Sequence, residues 1–144
     1  MTQVTVVQKH AYQTEVHFAG NLPVLTADEP APIGTGTGPS PIDLLASAVG
    51  NCLLASLYFA LTKFKNAPAP MRCEVSAEQG KNAEGKTRVL GITANIHLAD
   101  APESLAQLDR ILGQFEEFCT VTRSVAAGIP VVVSVFDPNG NKLK

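Results

Sequence analysis

The chain contains no tryptophan, two tyrosines and three cysteines in 144 residues, and charged side chains make up 17% of it. Three cysteines are too few for the disulfide framework of a small secreted domain, so each thiol is read as free, either a small core residue or a reactive group. The three Cys and three His show no C-x-x-C or H-x-x-x-H spacing, which argues against a zinc site. There is no G-x-S-x-G for a hydrolase nucleophile. Neither sign of charge dominates: the formal net charge is −2. The scattered Lys and Arg give no basic footprint for nucleic acid, and no run of like charge reads as an interaction tail. The first ten residues lack the basic and apolar regions of a signal peptide, so the reading is a cytosolic chain with no bound cofactor.

What is present is apolar: 45% of the residues are hydrophobic, enough for one folded domain over residues 1–144 with a real core. Residues 44–61 carry no charge and approach the length of a membrane span. Ser47, Gly50, Asn51 and Ser56 interrupt them and Asp43 stands directly before them, which favours a buried helix of a soluble protein with no membrane partner.

Alternation predicts strands over residues 4–8 and 12–18, with a short third over 22–25. Residues 28–41, DEPAPIGTGTGPSP, are too rich in Pro and Gly for regular structure. The GTGTG within them (34–38) could offer backbone N–H groups to an anion, although it lacks the Lys and Ser/Thr of a phosphate loop; a flexible loop is the simpler reading. Ser40, Pro41 and Asp43 fit a capping box with Ser at N-cap and Pro at N1. The helix they open should run to about residue 65, apolar on nearly every side, and a helix without a wet face needs cover from a second subunit. Residues 72–78 and 87–98 predict a hairpin around Gly80, Asn82 and Gly85, with Ile92, Ala94, Ile96 and Leu98 inward and Thr93, Asn95 and His97 outward. Pro102 opens a helix carrying Leu105, Leu108, Ile111, Leu112 and Phe115. A short helix over 120–127 ends at Gly128 as a left-handed C′ residue, and residues 129–136 close the chain as a strand. The order ββ(β)-α-ββ-α-α-β is an α+β domain.

Each cysteine has two readings. Cys52 lies mid-helix among Ala48, Ala55 and Ser56, small neighbours that leave room beside the sulfur for a substrate or for a closely packed helix. Cys119 precedes a helix whose N–H groups and dipole favour a thiolate, with Arg123 one turn on; otherwise it caps and packs. Cys73, in a strand with Met71 and Val75, reads as a buried-face residue. His97 reads as a solvated strand residue rather than a ligand.

GPSPIDLLASAVGNC (38–52) resembles the first cysteine motif of the OsmC/Ohr superfamily, and FCTVTRSVAAGIPV (118–131) is similar to its second. The resemblance spans nearly the whole chain. It implies an OsmC-like fold with a long buried central helix, an intertwined homodimer, and reduction of organic hydroperoxides by a peroxidatic Cys52 and a resolving Cys119. A Cys52–Cys119 disulfide is then reset by an external dithiol, lipoyl-linked in some members. Peroxidatic members set an N-terminal Arg against the thiolate, whereas here no Arg precedes Arg72. The acidic family position falls on Asp43, which at ~100° and ~1.5 Å per residue lies on the face opposite Cys52, so capping accounts for it. Helix electrostatics single out Cys119 as the more acidic thiol, while the resemblance assigns attack to Cys52. The alternative on the same fold is a non-catalytic small-ligand binder with structural cysteines.

Overall fold

Near the N-terminus, alternating residues pair as an antiparallel sheet in the order β1-β2-β3. β1 (Val4–His10) turns through Ala11, at φ 47°, into β2 (Gln13–Phe18), and β3 is Leu25–Ala27. The third strand begins where the expected one ends, because Thr14, Glu15 and Val16 of β2 pair with Ala27, Thr26 and Leu25. Leu22 and Val24, expected in the strand, are exposed. These strands belong to the first of two compact units, Met1–Leu45 and Ala46–Lys144. The computed structural model describes all of residues 1–144.

The unit boundary falls inside α1 (Pro41–Lys63). Its start is the capping box read from the sequence. The Ser40 amide and hydroxyl donate to Asp43 Oδ2 at 2.8 and 2.7 Å, and the Asp43 amide donates back to Ser40 Oγ at 3.2 Å. The helix stops where Lys65 turns left-handed (φ 62°) and the Asn66 amide and side chain both donate to the Leu61 carbonyl. By length and composition α1 would reach across a membrane. Along it Val49, Gly50, Leu53, Ser56, Leu57, Ala60 and Leu61 form one buried stripe at helical spacing. The chain covers that stripe only: Tyr58 and Phe59 on the other side are 55% and 54% exposed.

In the second unit β4 (Arg72–Lys81) and β5 (Thr87–His97) form the expected hairpin, closed by Asn82 Oδ1 accepting the Glu84 and Lys86 amides at 3.0 Å each. β6 (Val131–Phe136) lies parallel to β5, and residues 98–130 provide the crossover a parallel pair requires. Register sets Cys73 beside Ile96 and Val135, and Val75 beside Ala94 and Val133. Gly50 of α1 meets this face. A Cβ there would stand 2.9 Å from Val75 Cγ2 and 3.8 Å from Cys73 Sγ, so the missing side chain lets helix and sheet approach closely.

The helix expected from Pro102 is broken. A 3₁₀ turn covers Pro102–Ser104, Gln107 is left-handed (φ 60°), and α2 is Leu108–Gln114. The cause is Asn66, which grips Ala106 on both sides: it accepts the Ala106 amide at 2.7 Å and donates to the Ala106 carbonyl at 3.0 Å, withdrawing that residue from helical pairing. A second 3₁₀ turn, Phe115–Phe118, leads into α3 (Thr120–Ala126). Gly128 is not the left-handed cap expected of it; its amide continues the turn to the Val125 carbonyl at 3.0 Å.

Candidate active site

Cys52 sits on the flank of the α1 stripe, three residues after Val49 and four before Ser56. Cys119 is fully buried at the N-cap of α3, where its carbonyl accepts the Arg123 amide at 2.9 Å. The fold brings these two thiols, 67 positions apart, close enough that each shifts the acidity of the other. Around them are two buried hydroxyls, Ser56 and Thr122, 7% and 2% exposed. The Cys119 thiol donates to Thr122 Oγ1 at 2.8 Å, and that hydroxyl lies 3.5 Å from the Val49 carbonyl oxygen.

The electrostatics separate the two sulfurs. Burial pushes the Cys52 thiol up, but hydrogen bonds from Cys119, from the Val121 and Thr122 amides and from the Ser56 hydroxyl outweigh it, holding Cys52 below the ordinary cysteine value. Burial and the hydrogen bond to Cys52 raise Cys119, more than Thr122 and Ser56 lower it. The start of α3 therefore favours a thiolate, as its sequence implies, but on Cys52 across the fold rather than on Cys119 beside it. Arg123 takes no part: it lies 3.8 Å from Glu117, is more than half exposed, and acts on neither thiol.

Cys52 opens onto a cleft of about 340 Å³ lined also by Ala55, Ser56, Phe59, Phe118 and Thr120. Phe59 and Phe118 meet edge to face at 6.4 Å, and the Lys63 ammonium lies 5.9 Å over the Phe118 ring. The lining is apolar apart from the Cys52 thiol and the Ser56 and Thr120 hydroxyls.

The remaining candidates lie elsewhere. Cys73 is half-buried beneath α1, and burial together with the Glu74 charge raises its thiol. His97 is not solvated as expected: it stacks on Phe136 at 5.3 Å with its Nε2 buried and 3.3 Å from Glu74 Oε2. The GTGTG loop does bind an anion, one belonging to the chain. Asp28, 3% exposed, accepts the Thr35 amide at 3.0 Å and the Thr35 hydroxyl at 2.6 Å, with Thr37 and Glu29 adding further bonds. No group of three or more His, Cys, Asp or Glu is placed to hold a metal ion. Sequence reasoning took Ser56 only as a small neighbour of Cys52 and passed over Thr122, although each stands one helical turn from a cysteine.

The arrangement defines a paired-thiol site on an α+β scaffold. The profile of the OsmC-like protein family matches residues 34–134, and the chain belongs to that family. Its fold is that of three solved structures. An OsmC-like protein of unknown function from Vibrio cholerae is 17% identical, with a TM-score of 0.79 over 94% of this chain and 99% of that one. The organic hydroperoxide resistance protein OhrB of Bacillus subtilis is 16% identical, with a TM-score of 0.72 over 94% and 97%. The organic hydroperoxide resistance protein OsmC of Legionella pneumophila is 15% identical, with a TM-score of 0.73 over 94% and 96%. No curated protein matches the chain by sequence.

Proposed function

We propose that the chain is a thiol-dependent peroxidase that reduces organic hydroperoxides, in which Cys52 attacks and Cys119 resolves. One observation carries this reading: the more acidic thiol of a mutually interacting pair opens onto an apolar cleft, while the less acidic one is fully buried. Two fold neighbours bear hydroperoxide-resistance names, which supports the substrate class. The Cys52 thiolate attacks the distal peroxide oxygen; an S–O bond forms, the O–O bond breaks, and the alkoxide takes up a proton and leaves as the alcohol. The hydroxyl stays on sulfur as a sulfenic acid. Cys119 then attacks that sulfur; the S–S bond forms and the departing hydroxide takes the Cys119 proton as water. An external dithiol of the reducing cytosol returns both thiols and is itself oxidised to a disulfide. In place of an N-terminal Arg, main-chain amides of α3, the Ser56 hydroxyl and the Cys119 thiol favour the attacking thiolate.

The open side of α1, with Tyr58, Phe59, and the neighbouring Phe118 and Val121, is covered on this reading by a second copy of the chain. An obligate interface of roughly 2,000 Å² is expected, and a stable monomer in sedimentation at micromolar concentration contradicts it. The activity is tested by following cumene hydroperoxide with dithiothreitol as reductant. Cys52→Ser abolishes consumption, and Cys119→Ser leaves a sulfenic acid on Cys52 that dimedone labels. Unchanged consumption in both variants refutes the peroxidase reading and leaves the ligand-binding alternative.

A further inference from the structure

Four polar side chains of the unit Ala46–Lys144 are buried: Ser56, Thr122, Ser134 and Asp137. Thr122 is the most enclosed of them, and its hydroxyl is directed at one sulfur of the pair. Its main-chain amide lowers both thiols, whereas its hydroxyl meets Cys119 alone, at 2.8 Å. The other contact of that hydroxyl, to the Val49 carbonyl, is long at 3.5 Å and weak. The hydroxyl is thus free to rotate between accepting the thiol proton and donating its own.

We propose that Thr122 is a positioning residue for resolution: its hydroxyl accepts the Cys119 S–H at rest and turns to donate to the Cys119 sulfur as the S–S bond forms. This rests on the peroxidase reading for its role in turnover. A hydrogen bond to a thiolate is stronger than one from a thiol, so the hydroxyl favours the charged form of Cys119. Nothing else nearby supplies that help with a formal charge. The one titratable group that acts on Cys119 is Cys52 of α1, and no charged side chain acts on it; the charged residues of the adjoining turn and α3 are Glu116, Glu117 and Arg123. Glu116 is paired with Lys144, and Glu117 with Arg123. Without the Thr122 hydroxyl, only Ser56 and the Thr122 amide would oppose the burial and the Cys52 bond that raise Cys119.

The test uses the full chain and two readouts. In a Cys52→Ser background, alkylation of Cys119 by iodoacetamide is followed against pH. Thr122→Val should move the midpoint up by about one pH unit, and Thr122→Ser should leave it in place. With both cysteines present, sulfenic acid formation on Cys52 and its conversion to the disulfide are timed separately after one equivalent of cumene hydroperoxide. In Thr122→Val the ratio of conversion to formation should fall about tenfold at neutral pH, and the deficit should close as pH passes the Cys119 midpoint. Should Thr122→Val not fold, Thr122→Ala reads the same midpoint without a β-branched side chain. An unmoved midpoint, or an equal shift in Thr122→Ser, overturns the inference and leaves the peroxidase reading standing. A wild-type chain that consumes no hydroperoxide overturns the peroxidase reading and, with it, the role in turnover, whereas the alkylation midpoints still decide the contact between Thr122 and Cys119.

Discussion

Replacing Gly50 by alanine sets two effects of known sign against each other. An alanine inside a helix is favoured over glycine by about 1 kcal/mol. Its Cβ, however, would stand 2.9 Å from Val75 Cγ2, well inside the ~3.5–4.0 Å of an ordinary carbon contact. Val75 is β-branched and paired with Ala94 in the sheet, so its methyl has no easy retreat and the helix must move. Overpacking of this kind costs about 1–3 kcal/mol. Gly50→Ala alone should therefore destabilise the chain by about 1 kcal/mol. Val75→Ala removes the obstructing methyl and, for a half-buried valine, costs about 1 kcal/mol. In that background Gly50→Ala should become stabilising by about 1 kcal/mol, which makes the coupling between the two sites about 2 kcal/mol. Cys73 Sγ, at 3.8 Å, is an ordinary contact and does not enter. Urea unfolding of the four proteins reads the cycle as shifts in midpoint at constant slope. Equal effects of Gly50→Ala in both backgrounds would refute the close packing of α1 on the sheet.

Three further outcomes are expected. Asp43→Ala and Ser40→Ala should each cost about 1 kcal/mol in thermal or urea unfolding through loss of the capping box, with hydroperoxide consumption by the folded protein near normal; a large loss of turnover at unchanged Tm would make Asp43 more than a cap. Asp28 is held far below its ordinary value of 3.8, first by the Thr35 hydroxyl, so its contribution is fully present above that value and is lost as pH falls toward the lower folded value. Asp28→Asn should lower Tm at neutral pH, and its deficit against the native chain should shrink below about pH 4; a deficit that persists unchanged in acid argues against the carboxylate. Iodoacetamide should modify Cys52 through a midpoint below the ordinary cysteine value; Cys119→Ala should raise that midpoint, whereas Arg123→Ala should not move it, and a rise on losing Arg123 would restore the guanidinium to the site.

The order of strands and helices was legible because each rests on local pattern: alternation for β1, β2 and β5, and the Ser40–Asp43 box for the start of α1. The break before α2 was not legible, because its cause is Asn66, 40 residues away in the chain. The Gly-rich loop shows the same limit. Its sequence reads more simply as a flexible loop than as an anion site, and only the fold reveals that its amides hold Asp28 a few positions earlier. Both cysteines could be singled out by their flanks. Which of them the α3 amides serve depends on how α1 passes the start of α3, a long-range fact that helix electrostatics alone assigned to Cys119. Ser56 and Thr122 were within reach of helical spacing from each thiol, but a Ser or Thr on an apolar face carries no signal of its own until its neighbour is known.

The central claim is that Cys52 and Cys119 form one redox pair, and peptide mapping after oxidation tests it most directly. Reduced protein is treated with one equivalent of cumene hydroperoxide, blocked with iodoacetamide and digested without reductant. The account predicts a Cys52–Cys119 disulfide peptide in proportion to the peroxide consumed, with Cys73 recovered alkylated. Peroxide left unconsumed with all three thiols alkylated, or a disulfide that joins Cys73 to either partner, would contradict it.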